Sequence, residues 1–108
     1  MSKTFASKLG NTRAGDRCRI WLEGKRLVDH GFFCTAQVQR VWSEGKLVLR
    51  LVDDVAFAEL PRDERTTVAG TDARPIIDIN TAKVAETFKG THVNVTYTQG
   101  RITITDAD

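Results

Sequence analysis

Apolar and polar residues alternate along several short stretches of this chain, which is the pattern of half-buried β-strands. In RCRIWLEG (17–24), Cys18, Ile20 and Leu22 fall on one side, and the arginines and the tryptophan fall on the other. Further stretches rich in strand-forming residues occur at 36–42, 46–52, 74–80, 91–97 and 101–105. The pattern therefore predicts a mainly β protein.

Two short helices and two tight turns connect these strands. Residues 25–31 and 82–88 carry apolar residues at helical spacing, and each helix is expected to stop at a nearby glycine. Gly45 and Gly100 lie between paired strand-like stretches and are expected to supply the positive φ of hairpin turns.

The order of strand, helix and hairpin occurs twice, so the sequence indicates an internal duplication. The copies align at an offset of 57 residues through the strand and helix, and of 55 through the hairpin, after two single-residue deletions near Gly31. The aligned pairs are Arg17/Arg74, Ile20/Ile77, Leu22/Ile79, Leu27/Val84, Val38/Val93, Gly45/Gly100, Leu47/Ile102 and Leu49/Ile104. Phe32 aligns with Phe88 and is expected in the core. Phe33 aligns with Lys89 and is expected at the surface.

A single domain of this length contains a basic N-terminal arm (1–16), repeat one (17–52), a linker (53–73) and repeat two (74–105). One repeat cannot close a core alone, so we expect each hairpin to complete the sheet of the other repeat. The first linker residues, through Phe57, are predicted to add a strand, and the rest is predicted to be an exposed loop.

The segment RIWLEGKRLVDHGFFCTAQVQRVWSEGKLVLRL (19–51) resembles the SymE-like toxin group of the SpoVT–AbrB swapped-hairpin superfamily. The shared pattern is a strand ending in Leu-x-Gly, a helix with a closing Gly-Phe, a valine strand, a glycine turn and an aliphatic strand. Its positions in this chain are Leu22, Gly24, Leu27, Gly31, Phe32, Val38, Gly45, Leu47 and Leu49.

The resemblance implies a swapped-hairpin barrel and nucleic-acid binding. AbrB-type members are transcription regulators that lay one face of the barrel on DNA, whereas SymE-type members are toxins described as acting on RNA or on the nucleoid. The family assembles its barrel from two chains. Here both halves come from one chain, so we expect a monomeric pseudo-dimer.

Charge is unevenly distributed along the chain. Residues 1–50 contain ten Lys and Arg and four Asp and Glu, a net charge of +6. Residues 51–108 contain six Lys and Arg and ten Asp and Glu, a net charge of −4. A basic half is typical of a surface that meets a polyanion. We therefore expect the first repeat and the N-terminal arm to bind the phosphates of DNA or RNA.

The candidate binding residues are the basic residues of the arm and the outward side chains of repeat one. They are Lys3, Lys8, Arg13, Arg17, Arg19, Trp21, Lys46 and Arg50. Arginine and lysine hold phosphates, and an exposed Trp21 can stack on an unpaired base. Asp78 on the matching strand of repeat two repels phosphate, so we expect a one-sided surface. Arg40 falls in line with Val38 and Trp42 and is expected to turn inward.

Two other functional classes remain open. A ribonuclease toxin would need a catalytic base, for which His30 is a weak candidate. A protein-interaction module or inhibitor would bind a basic partner through the acidic second half, with a patch formed by Asp53, Asp54, Glu59, Asp63 and Glu64. The sequence has no P-loop, dinucleotide fingerprint or zinc spacing, so no cofactor or metal is expected.

The expected location is cytoplasmic. The N-terminal residues contain no apolar stretch typical of a signal peptide, and no apolar run approaches the ~18–20 residues that cross a bilayer. Cys18 and Cys34 lie in no redox or metal spacing, and we expect both to be reduced thiols.

Overall fold

The structure, a computed structural model, describes residues 3–11 and 18–107. It contains ten strands, three short α-helices and one 3-10 turn over Arg62–Glu64 within these residues. The strands are β1 (Lys3–Lys8), β2 (Gly10–Asn11), β3 (Cys18–Glu23), β4 (Gln37–Ser43), β5 (Lys46–Leu51), β6 (Arg65–Thr67), β7 (Ala69–Gly70), β8 (Pro75–Ile79), β9 (His92–Thr98) and β10 (Arg101–Asp106). The helices are α1 (Lys25–Asp29), α2 (Asp54–Glu59) and α3 (Ala82–Thr87). The mainly β class with short helices is confirmed.

The two hairpins form where the sequence predicts them. Gly45 and Gly100 stand in their turns at φ values of 67° and 73°, a backbone region that side chains other than glycine rarely occupy. Each turn joins two antiparallel strands that pair with each other, β4 with β5 and β9 with β10.

All strand pairs are antiparallel and fall into two sheets. The larger sheet has the order β1-β9-β10-β5-β4-β6 and the smaller one β2-β3-β8-β7. Exchanging the two halves of the chain leaves both orders unchanged. The pairing of β3 with β8 is also unchanged by this exchange. Ile20 lies opposite Ile79 and Leu22 lies opposite Ile77, and the repeat alignment converts each of these pairs into the other.

Each half lends an edge strand to the hairpin of the other half. β1 lies beside β9, and β6 lies beside β4. The chain then crosses to the smaller sheet through Leu9 and Val68, whose side chains are buried. The Leu9 N–H donates to the carbonyl of Thr91, and the Val68 N–H donates to that of Ala36. Part of the predicted basic arm is therefore a strand of the larger sheet.

The strands do not close into a barrel, so that part of the expected fold is wrong. Within the described residues, β1 pairs with β9 alone, and β3 pairs with β2 only at Cys18 and Arg19. The edge of β3 at Trp21–Glu23 is therefore unpaired on that side. The connecting strands β2 and β7 are two residues long, too short to carry a hydrogen-bond ladder from one sheet to the other.

The expected strand through Phe57 is also wrong, because that segment forms α2. Asp53 caps this helix by accepting a hydrogen bond from the Ala56 N–H at 2.8 Å. The remainder of the linker is not simply an exposed loop. It contains the 3-10 turn, β6 and β7, which are held by their neighbours β4 and β8.

One core lies between the two sheets and beneath α1 and α3. Leu27 and Phe32 of the first half and Val84 and Phe88 of the second half are buried in it. The strand residues of the core are Ile20, Leu22, Val38, Leu47, Leu49, Ile77, Ile79, Val93, Val95, Tyr97, Ile102 and Ile104. The expected placement of Phe32 in the core is confirmed.

Phe32 and the adjacent Phe33 give a matched pair for testing this core. Phe32 is 0% exposed and Phe33 is 56% exposed. We expect Phe32→Ala to lower the free energy of unfolding by about 3–5 kcal/mol, because it leaves a cavity. Phe33→Ala should change it by no more than about 0.5 kcal/mol. Urea denaturation measures both, and equal losses would contradict this packing.

Candidate nucleic-acid interface

The outer face of the larger sheet collects basic side chains because its strands alternate. In β5, Leu47 and Leu49 point into the core, so Lys46, Val48 and Arg50 point outward. Lys46 and Arg50 are four residues apart, which is roughly 13 Å along a strand. The sequence therefore places both predicted residues on one face.

Arg101 joins this face from the neighbouring strand. It lies directly opposite Arg50 in the register of β10 with β5, and both residues are exposed. Like charges directly opposite each other destabilise a strand pair. Arg50 donates from Nε to Oε1 of Gln39 at 2.8 Å, which fixes its guanidinium without neutralising it.

We define the basic sheet face as Lys46, Arg50 and Arg101 together with Gln39 and Ser43. These residues surround a shallow depression of about 480 Å³, with Val41 and Val48 between them. None of the outward positions on the described strands of this sheet carries Asp or Glu. The nearest carboxylate in this hydrogen-bond network is Glu64, which accepts from the Gln39 amide at 3.0 Å.

Arg19, another predicted phosphate contact, is held by a carboxylate of the smaller sheet. Its Nε and Nη2 donate to the two oxygens of Asp78 at 3.0 and 2.6 Å. Hydrogen bonding to Asp78 raises the pKa of the Arg19 guanidinium. A phosphate at Arg19 would have to compete with this bidentate pair.

Trp21 is fixed in place by the same group of side chains. The guanidinium carbon of Arg19 lies 4.9 Å from the centre of the indole ring. Glu23 accepts hydrogen bonds from Arg74, at 2.9 Å, and from Trp21, and these bonds hold the pKa of Glu23 below its usual value. The indole is nevertheless 43% exposed.

The other predicted binding residues lie in the arm. Lys3 and Lys8 begin and end β1, whereas Arg13 and Arg17 lie outside the described residues. The basic sheet face and the Arg19–Trp21 surface belong to different sheets, so the predicted residues do not form one cluster. Arg40 turns inward as expected, and burial lowers its pKa.

Arg101 was not among the residues predicted from the sequence. The repeat offset of 55 aligns it with Lys46, which was a predicted residue, so the signal was present in the alignment. Only the pairing of β5 with β10 shows that it lies opposite Arg50.

His30, the weak candidate for a catalytic base, packs at the end of α1. Its Nδ1 donates to the carbonyl of Arg26 at 2.7 Å, and its ring centre lies 5.4 Å from that of Tyr97. This contact leaves Nε2 as the nitrogen available for chemistry. Burial raises the pKa of the Tyr97 hydroxyl.

Several carboxylates of the predicted acidic patch are engaged in internal contacts. Asp63 forms an ion pair with Lys83 at 2.8 Å, which lowers the pKa of Asp63. Asp53 caps α2, and Glu64 binds Gln39. Across residues 3–11 and 18–107, no group of three or more His, Cys, Asp or Glu side chains could hold a metal ion. No helix in this part of the chain is long and apolar enough to cross a membrane.

The opposed arginines predict a gain of stability on neutralisation. We expect Arg101→Gln to raise the free energy of unfolding by up to about 1 kcal/mol at low salt, because it removes the repulsion from Arg50. Lys89→Gln makes the same charge change at an exposed position near Glu44, Glu86 and Asp106 and should not stabilise the protein. Urea denaturation at two salt concentrations measures both variants. Destabilisation by Arg101→Gln would contradict the repulsion.

The Glu23 contact predicts an acid transition at Trp21. Because the folded-state pKa of Glu23 is lowered from 4.5, its stabilising contact persists above that pH and is lost as pH falls through the folded value. We expect Trp21 fluorescence, measured in a Trp42→Phe background, to change only below pH 4.5. Glu23→Gln should remove the transition. An unaltered transition in that variant would assign it to another group.

Comparison of the chain with protein-family models, with curated proteins and with solved structures found no match. The function is therefore inferred from the geometry of the described residues.

Proposed function

We propose that this chain is a nucleic-acid-binding protein that holds phosphates on its basic sheet face. The observation that carries the proposal is the exposed pair of Arg50 and Arg101, placed opposite each other without an acidic residue on that face. Such a pair costs stability in the free protein. A bound polyanion offsets that cost by neutralising both charges.

The layout of the face favours an extended phosphate backbone over a small anion. Lys46 and Arg50 lie roughly 13 Å apart, which matches about four nucleotides at 3.4 Å each along a duplex axis. Between them the surface is shallow and carries Gln39 and Ser43, which can hydrogen-bond to phosphates or base edges. The cationic side chains supply affinity, and these neutral groups supply orientation.

We also propose that the fold is an internally duplicated, swapped-hairpin arrangement of the AbrB and SymE type, acting as a monomeric pseudo-dimer. The exchange of β1 and β6 between the halves supports this, as do the strand orders that are unchanged by exchanging the halves. The AbrB-like and SymE-like relationship remains a hypothesis based on the sequence pattern. A toxin or antitoxin role and a cytoplasmic location belong to the same hypothesis.

Binding to a labelled DNA duplex, to single-stranded DNA and to RNA across a salt series tests the proposed function. Each phosphate contact on duplex DNA contributes about 0.9 to the slope of log affinity against log salt. We expect Arg50→Gln and Arg101→Gln each to weaken binding and to lower the slope by about 0.9, the contribution of one phosphate contact. Lys89→Gln carries the same charge change outside the face and should leave the slope unchanged.

Three outcomes would overturn the proposal. These are no binding of any polymer at low salt, equal effects of the three glutamine variants, and affinity that does not depend on salt. Loss of intact RNA during the assay, abolished by His30→Ala, would instead favour the ribonuclease alternative. Capture of a basic protein in the absence of nucleic-acid binding would favour the interaction module.

A further inference from the structure

A cleft of about 370 Å³ opens where the two sheets fail to join. Ala6 and Ser7 of β1 form one wall, and Trp21–Glu23 of β3 form the other. Within residues 3–11 and 18–107, β1 is paired on one edge only, so alternate backbone N–H and C=O groups of β1 point away from β9. The cleft has the volume of a small-molecule site, which runs from about 300 to 1,000 Å³.

The apolar lining of this cleft includes three aromatic rings beside Leu22 and Val95. Phe5 and Tyr97 pack edge to face with their ring centres 6.0 Å apart, and Trp21 stands at the rim. Trp21 is held from two sides, by the Arg19 guanidinium against its ring and by Glu23 at its N–H. An exposed aromatic ring that is already fixed loses little conformational entropy when a planar ligand stacks on it.

The cationic lining comes from the start of α1. The Arg26 guanidinium lies 3.5 Å from the centre of the Phe5 ring and forms no ion pair with any residue in 3–11 or 18–107. Lys25 is paired with Asp29 at 3.1 Å. Arg26 is therefore the cation of the cleft that is available to a bound anion.

The place that the repeat alignment matches to this cleft is occupied by side chains from both halves of the chain. Lys83, which aligns with Arg26, is paired with Asp63. Arg40, which aligns with the shorter Val95, extends from β4 and donates from Nη2 to the carbonyl of Arg65. The matching place thus has a carboxylate beside its cation and a long side chain across it, whereas within the described residues Arg26 has no ion pair and the cleft is open.

We propose that the cleft binds one unpaired nucleobase together with its phosphate. The base stacks on Trp21, its polar edge meets the free backbone groups of β1, and Arg26 holds the phosphate. Arg19 acts as a positioning residue for Trp21. Its ion pair with Asp78 holds the guanidinium against the indole ring. This inference rests on the proposed function, and it adds a preference for single-stranded over duplex nucleic acid.

Fluorescence titration with adenosine 5′-monophosphate tests the cleft directly. In a Trp42→Phe background, Trp21 is the remaining tryptophan, and we expect saturable quenching by the nucleotide. Ribose 5-phosphate lacks the base and should not quench. Arg26→Ala should weaken nucleotide binding about tenfold while leaving the binding of adenosine, which has no phosphate, unchanged. Lys25→Ala is the matched control and should have a much smaller effect.

Calorimetry on variants that keep Trp42 provides a second measurement of binding, which does not depend on the Trp42→Phe change. Trp21→Ala should weaken nucleotide binding about tenfold or more, and Trp21→Phe should restore part of it. A failure of adenosine 5′-monophosphate to quench or bind, or equal binding of ribose 5-phosphate, would overturn the proposal. So would an unchanged affinity in Trp21→Ala whose circular dichroism matches that of the unmodified protein.

Oligonucleotide competition separates this proposal from the proposed function. A single strand should bind more tightly than a duplex of the same length, and Trp21→Ala should remove that difference. If Arg50→Gln and Arg101→Gln weaken binding but no preference for single strands exists, the cleft proposal fails and the basic sheet face stands. If the nucleotide binds the cleft but no oligonucleotide binds in a salt-dependent way, the proposed function fails instead.

Discussion

The antiparallel pairing of β5 with β10 is the interaction on which both the core and the basic sheet face depend. On its inner side, Leu49 lies opposite Ile102, and both are buried. On its outer side, the same register places Arg50 opposite Arg101. Because side chains alternate along a strand, a slip of one residue would expose the leucines and bury the arginines. The burial of the apolar side chains therefore holds the arginines together despite their repulsion.

Among the described residues, the charged side chains are paired on the smaller sheet and lack a carboxylate partner on the outer face of the larger sheet. On the smaller sheet, Arg19 is neutralised by Asp78, and Glu23 is neutralised by Arg74. On the larger sheet, the outward cations have no carboxylate beside them on the described strands, and Arg50 donates a hydrogen bond to the neutral Gln39. Exposed ion pairs add little to stability, so the pairs of the smaller sheet matter chiefly for where they hold the side chains. This difference separates a surface that positions an aromatic ring from one that attracts a polyanion.

Local patterns in the sequence predicted the elements that form locally, and they missed those that depend on distant partners. Both hairpins follow from alternation and from turn glycines, which act over a few residues. The burial of Phe32 was predicted from its alignment with Phe88 in the second repeat. β1 and β6 are defined instead by pairing with strands of the opposite half, and nothing within their own residues specifies that partner. The pairing of Arg19 with Asp78 likewise depends on the register of β3 with β8. The helix cap at Asp53 was visible in the sequence, but the following apolar residues were equally compatible with a strand.

The differences between the halves follow from a few side chains at matching positions. Where the cleft is lined by Val95 of the second half, the matching place has Arg40 of the first half, which reaches the β6 backbone. Where the first half has Trp21, the second has Asp78, which binds Arg19 of the first. Arg40 and the Lys83–Asp63 pair thus fill the matching place, and Asp78 braces the cleft through Arg19. Under the proposed duplication, one of two matching openings is filled by side chains, and within the described residues the aromatic cleft is left open in a fold whose strand order is symmetric.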